Sequence, residues 1–196
     1  MKVWRFALVV ACVWALGGCS AVAGGPAAVR TSPAVAPSAG ALPADVNATD
    51  VMFVQMMLPH HRQGVQIVRL AADRAPREDV RILAAAIDTT QSGEIDMMQR
   101  WLRDWQQPVT ASDPHAHDAH GGVPQTSLAE LAALQKATGE AFERPFLDAM
   151  IAHQDDAIQL ARMETAGGIN MLALDFAQRV DRSRSAQINQ MLALRG

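Results

Sequence analysis

The sequence predicts an all-α chain, an antiparallel four-helix bundle made of two duplicated helical hairpins. Three observations predict it. Apolar residues recur at spacings of three and four along four long segments, the period of a helix with one buried face. No stretch alternates apolar and polar residues as a half-buried strand would, tyrosine is absent and alanine is abundant, all of which suits helices. The chain also repeats itself. At an offset of 93, Phe53 falls on Phe146, Met57 on Met150, His60 on His153, Gln66 on Gln159, Arg69 on Arg162, Asp88 on Asp181, Ser92 on Ser185 and Met98 on Met191.

Each repeat reads as two helices. Asn47 or Thr49 can cap a first helix running to about Arg74. Pro76 suits the first turn of a second helix that runs to about Trp105. Ser127 with Glu130 forms a capping box for a short extra helix. A third long helix is expected from about Ala141 to Ala166, where Gly167 and Gly168 stop it. Asn170 can cap a fourth, which runs to about Leu194. Pro59 should kink the first helix, because it lacks an amide and crowds the carbonyl of Gln55. Its counterpart is Ala152, so the third helix should run straighter.

The amino terminus belongs to export rather than to the fold. Lys2 and Arg5 precede an apolar run from Phe6 to Leu16, too short to span a bilayer, followed by Gly17, Gly18 and Cys19. The order "LGGCS" has the layout of a lipoprotein processing site, with Cys19 as the acylated residue; an ordinary signal cut nearby is the alternative. Residues 1–18 are therefore read as the signal. Residues 19–44, rich in Ala, Pro, Gly and Ser, are read as a flexible tether, and residues 45–196 as the domain. Cleavage before Cys19 removes Cys12 and leaves one cysteine, so no internal disulfide is expected. The formal net charge is −3. With no basic stripe, nucleic acid is not an expected partner. The expected location is the cell envelope, on the outer face of the cytoplasmic membrane or in the periplasm, with acyl chains as the attachment.

The seams carry polar residues where a bundle normally puts leucine. These are His60, Gln91, Glu94, His153, Arg184 and Gln187. Burying such groups costs several kcal/mol unless they are paired, hydrogen-bonded or bound to a metal. Met57, His60 and His61 lie within about one helical turn, and Gln91, Glu94 and Met98 do the same on the next helix. Thioether sulfur suits Cu(I), while imidazole suits copper and zinc. Copper is therefore the first expectation and zinc the second. No glutamate is followed three residues later by histidine, which argues against a di-iron oxidase. Taken singly, a methionine stripe is more often core packing and a seam histidine a hydrogen-bonded core residue; the combination makes a metal pocket.

The segment 106–127 is polar, with proline and glycine at both ends, and reads as a loop. Its His115, His117 and His120, with Asp113 and Asp118 among them, could gather Cu(II) or Zn(II) weakly, or could simply be solvated. Peptidase and hydrolase chemistry find no support, since neither His-Glu-x-x-His nor Gly-x-Ser-x-Gly occurs.

These residues resemble the bacterial domain-of-unknown-function 305 family. Its repeated pattern is roughly Phe-x-x-x-Met-x-x-His-His followed by Gln-x-x-Glu-Ile-x-x-Met. "FVQMMLPHH" and "QSGEIDMM" reproduce both parts, and "FLDAMIAHQ" most of the first. The resemblance covers about residues 47 to 194 and implies a ferritin-like four-helix fold. Some relatives are exported copper-binding proteins linked to copper tolerance. By that resemblance Met57, His60, His61, Glu94 and Met98 carry the metal motif, and Met150 and His153 its second copy. The second copy departs from the pattern. It has Gln154 for the second histidine, Arg184 for the glutamine and Gln187 for the glutamate. Ile67 and Leu160 stand where relatives often place a further methionine. Arg184 is expected to pair with Glu94, which would take that carboxylate away from a metal.

The leading expectation is a lipid-anchored, non-enzymatic protein that binds or buffers copper. A helical scaffold whose polar seam groups satisfy one another is the second, and a metal-dependent oxidase the third.

Overall fold

The computed structural model describes residues 41–111, 113, 115–118 and 122–196. The expected signal, Cys19, most of the tether and His120 lie outside the described residues. Those described form helices α1 (Ala48–Arg69), α2 (Ala71–Arg74), α3 (Glu78–Asp104), α4 (Leu128–Lys136), α5 (Glu140–Gly167) and α6 (Met171–Arg195). The fold is all-α. α1 packs against α3 and α5, and α5 against α6. No helix among the described residues is long and apolar enough to cross a membrane.

The caps follow the side-chain chemistry. Asn47 Oδ1 accepts from the Thr49 and Asp50 amides, and Asp50 reaches back to the Asn47 amide, closing a capping box. Ser127 and Glu130 form a second box at α4. Asn170 accepts from the Ala173 amide at the start of α6. Two local expectations need correction. The first helix ends at Arg69, and Ala71–Arg74 is a separate turn. Pro76 lies before the N-cap of α3, which is Arg77, rather than in its first turn. α5 contains a proline of its own, Pro145, its sixth residue, where the missing amide leaves the Ala141 carbonyl without its intrahelical donor. α1 passes through Pro59 without interruption.

The duplication is visible as repeated contacts. Arg69 pairs with Asp88, and Ser92 donates to the same carboxylate; Arg162 with Asp181 and Ser185 repeats the set. Each hairpin also closes the turn of the other. Asp50 on α1 accepts the amides of Ile169 and Asn170 at the α5–α6 turn, at 3.0 and 2.9 Å. Glu143 on α5, its counterpart at the repeat offset, accepts the Arg77 amide at 3.1 Å and the Arg77 guanidinium. Both carboxylates are buried. Their partners are helix-start amides that no intrahelical bond satisfies, so these cross-caps are worth more than surface ion pairs.

The apolar interior falls into two clusters. One contains Phe53, Met57, Met98, Leu102, Leu160, Phe176 and Val180. The other contains Ile67, Ala84, Ile87, Phe142, Phe146, Met150 and Met191. Each fully buried large side chain contributes about 1.5–3 kcal/mol. Along every long helix, polar side chains stand between the two clusters. These are His60 and His61 on α1, Gln91 and Glu94 on α3, His153 and Gln154 on α5, and Arg184 and Gln187 on α6.

Candidate metal centre

This polar layer crosses the bundle between the two apolar clusters. His60, His61, Gln91, His153, Gln154 and Arg184 are buried, and the Glu94 side chain is 17% exposed. The repeat offset pairs its members. His60 corresponds to His153, His61 to Gln154, Gln91 to Arg184 and Glu94 to Gln187.

His60 and His153 meet across the two hairpins. Their rings stack with centroids 3.8 Å apart and 14° between planes. None of their four ring nitrogens has a hydrogen-bond partner among the described residues. Burial first, then the nearness of His153, His61 and Arg184, holds His60 well below the usual imidazole range. Burial, with His61 and Arg184, pushes His153 down to about 3. Both rings are therefore neutral at neutral pH, and each presents a bare nitrogen lone pair. Gly64 makes room for this arrangement. A Cβ there would lie 2.3 Å from Gln91 Oε1 and 2.6 Å from His153 Nε2.

His61 turns the other way. Its Nε2 lies 2.8 Å from Glu94 Oε2, and the Arg184 guanidinium binds that same oxygen while approaching His61 Nε2 at 3.4 Å. Burial lowers His61 despite the pull of Glu94. Burial pushes the Glu94 carboxyl up, but the His61 hydrogen bond and the Arg184 charge outweigh it and leave it below its ordinary value. Glu94 is thus ionised and His61 neutral, so Nε2 carries the proton and the buried Nδ1 is bare. The other half of the layer is an uncharged version of this network. Gln154 donates to Gln187 Oε1 at 2.5 Å, and Gln91 to Gln154 Oε1 at 3.5 Å.

The structure thus separates residues that helical spacing groups together. His60 joins His153, whereas His61 joins Glu94 and Arg184. The ion pair expected for Arg184 is present. Met57 and Met98 lie fully buried in one apolar cluster, and Met150 with Met191 in the other. In the 106–127 loop, exposed His115 pairs through Nδ1 with Asp118 at 2.8 Å, and His117 lines a hollow with Met52, Gln55 and Gln107. Sequence reasoning missed Asp50, Glu143 and Glu164 as buried acids. The first two are repeat mates, and two acids at the repeat offset near helix starts were the available signal.

No three His, Cys, Asp or Glu side chains among the described residues are grouped to hold a metal ion. The donor set still fits a soft one. It offers neutral imidazole nitrogens without competing hydrogen bonds, each orphan costing about 1–3 kcal/mol when left unmade. Stacked rings aim their lone pairs side by side, so joint ligation by His60 and His153 requires one ring to turn.

A duplicated-hairpin helical bundle with a buried histidine layer is the class of protein that fold and site define. The profile of DUF305, a domain of unknown function, matches residues 50–195, and the chain belongs to that family. Among solved structures, a DUF305 protein from Streptomyces coelicolor is 28% identical, with 74% of this chain and 91% of that one covered and a TM-score of 0.70. A DUF305 fragment from Deinococcus radiodurans is 27% identical, with 77% and 97% covered and a TM-score of 0.67. CopM in its Cu(I)-bound form is 27% identical, with 76% and 96% covered and a TM-score of 0.60. CopM has also been solved with Cu(II) and with silver. No curated protein matches the chain in sequence.

Proposed function

We propose that this protein binds copper in the cell envelope and does so without turnover. The observation that carries the reading is the His60–His153 pair, two buried, neutral imidazoles from opposite hairpins with no protein partner for their ring nitrogens. Copper-bound CopM, of the same fold and 27–28% identical, supports the metal. Zinc is the second choice, because imidazole serves both ions while buried methionine favours copper. Met57, His61, Met98 and Met150 are the further candidate donors, and Glu94 is the weakest because Arg184 occupies it. His115, His117 and His120 would collect ions weakly at the surface. The basic start, apolar run and Cys19 support export with a lipid anchor.

An anaerobic Cu(I) titration of the full chain, competed with a chromophoric chelator, tests this. About one ion should bind, and His60→Ala or His153→Ala should abolish it. A second reading, a scaffold without metal, is favoured by the hydrogen bonds that link Gln91, Gln154 and Gln187 in one half of the layer. Absence of competitive Cu(I) binding would decide for the scaffold.

A further inference from the structure

We infer that Arg184 is the charge selector of the buried layer: by clamping Glu94 it withholds the layer's carboxylate and restricts the His60–His153 site to a soft monovalent cation. This rests on the metal-binding reading above and concerns which ion charge that site accepts.

The clamp is built, not incidental. Arg184 is fully buried. Its guanidinium binds Glu94 Oε2, lies 3.4 Å from His61 Nε2 and donates to Ser183 Oγ at 3.2 Å. Glu94 Oε2 also receives His61, so a single oxygen carries two donors. The repeat shows what the arginine replaces. Its counterpart is Gln91, which approaches Gln154 just as Arg184 approaches His61. An amide at 184 would leave Glu94 facing His61 alone.

Charge bookkeeping then sets the ion. Within the layer Glu94 is the one carboxylate and Arg184 the one permanent cation, and the two cancel. What remains is neutral: imidazole, amide and, above and below, thioether. The cost of burying an ion rises with the square of its charge; neutral donors offset part of it, and a free anion nearby offsets more. A divalent ion among neutral donors, beside a committed carboxylate and a guanidinium, keeps its second charge uncompensated. A soft monovalent ion needs no carboxylate and prefers these donors. Where the layer reaches the surface, Glu94 lies in a hollow lined by Thr90, Ser183, Arg182 and Arg179, the last of them paired with Asp175.

The test titrates the full chain with Ag(I), a redox-silent monovalent probe, and with Zn(II), a divalent one. Wild type should prefer Ag(I). Arg184→Gln should strengthen Zn(II) binding by about tenfold or more and Ag(I) by a clearly smaller factor, since it frees the carboxylate and lifts from the histidine pair a positive charge that a divalent ion feels twice over. Adding Glu94→Gln to that variant should cancel the zinc gain. An unchanged Zn(II)-to-Ag(I) ratio in Arg184→Gln, with Ag(I) still bound, overturns the selector and leaves metal binding standing. Wild type that takes Zn(II) as tightly as Ag(I) overturns it without any variant. Loss of both ions in wild type overturns the selector and the metal-binding reading together.

Discussion

His60 and His153 stack face to face across the bundle, 3.8 Å between ring centroids, and each is the repeat mate of the other. A near-twofold relation between the hairpins brings the two equivalent residues to its centre. Replacing either one should therefore remove the site, because neither has a spare copy. With His60→Ala and His153→Ala each losing Cu(I) binding by about a hundredfold or more, the pair is the centre. Retention of tight binding in both would move the site to the 106–127 loop.

Acid should weaken the fold through the same rings. His60, His61 and His153 have folded-state pKa values below 6.5, with His153 at about 3. The unfolded chain takes up protons below pH 6.5 while the native chain does not. The stability from these groups is full above 6.5 and is lost as pH falls toward about 3, with a slope of up to about 1.4 kcal/mol per pH unit per histidine. Denaturant melts between pH 4 and 7 measure it. A flat profile over that range would contradict the buried neutral state.

Glu164 tilts the alkaline side. It is buried beside Asp50, and burial first, then the neighbouring Asp50 carboxylate, pushes its carboxyl up to about 8. A raised folded pKa gives stability that is full below 4.5 and lost as pH rises to about 8. Glu164→Gln keeps a donor toward Asp50 and has no proton to lose. Its midpoint should match wild type near pH 5 and exceed it at pH 8.5. Parallel profiles would rule out the raised Glu164 carboxyl.

Gly64 is the space the layer depends on. Gly64→Ala places a methyl into Gln91 and His153, and should cost about 1–3 kcal/mol by overpacking while weakening metal binding. An alanine variant that matches wild type in both would show that the layer is slack. The same substitution at Gly93, whose Cβ would meet nothing within 4 Å, is the control and should leave binding intact.

The cross-caps are testable singly. Glu143→Ala leaves the Arg77 amide and guanidinium without their carboxylate, and should destabilise the chain by about 2–4 kcal/mol in urea unfolding. A loss below about 0.5 kcal/mol would reduce Glu143 to a surface ion pair.

Much of this was legible in the residues. Period, caps and the 93-residue repeat specify four long helices, and the seam positions of Met57, His60, Met150 and His153 are all buried. The Arg184–Glu94 pair was legible too, because a seam arginine needs an anion and the seam offers one. Spacing along one helix could not reveal that neighbouring His60 and His61 face different partners, since that depends on which residue of another helix stands opposite. It also could not place Glu164, whose burial comes from the close approach of Asp50 over Gly168, a contact between distant parts of the chain. The break at Leu70 escaped because no glycine or proline marks it.

Asp50 closing the turn at Asn170, and Glu143 closing the turn at Arg77, make the two halves mutually dependent. A duplicated chain usually invites the thought that either half could stand alone. Here a lone hairpin would keep its acid and lack the turn that acid serves. It could satisfy both only by associating with a second hairpin in the same reciprocal way. The single-chain bundle therefore has the internal geometry of a symmetric dimer joined end to end, in which one half carries His61, Gln91 and Glu94 where the other carries Gln154, Arg184 and Gln187.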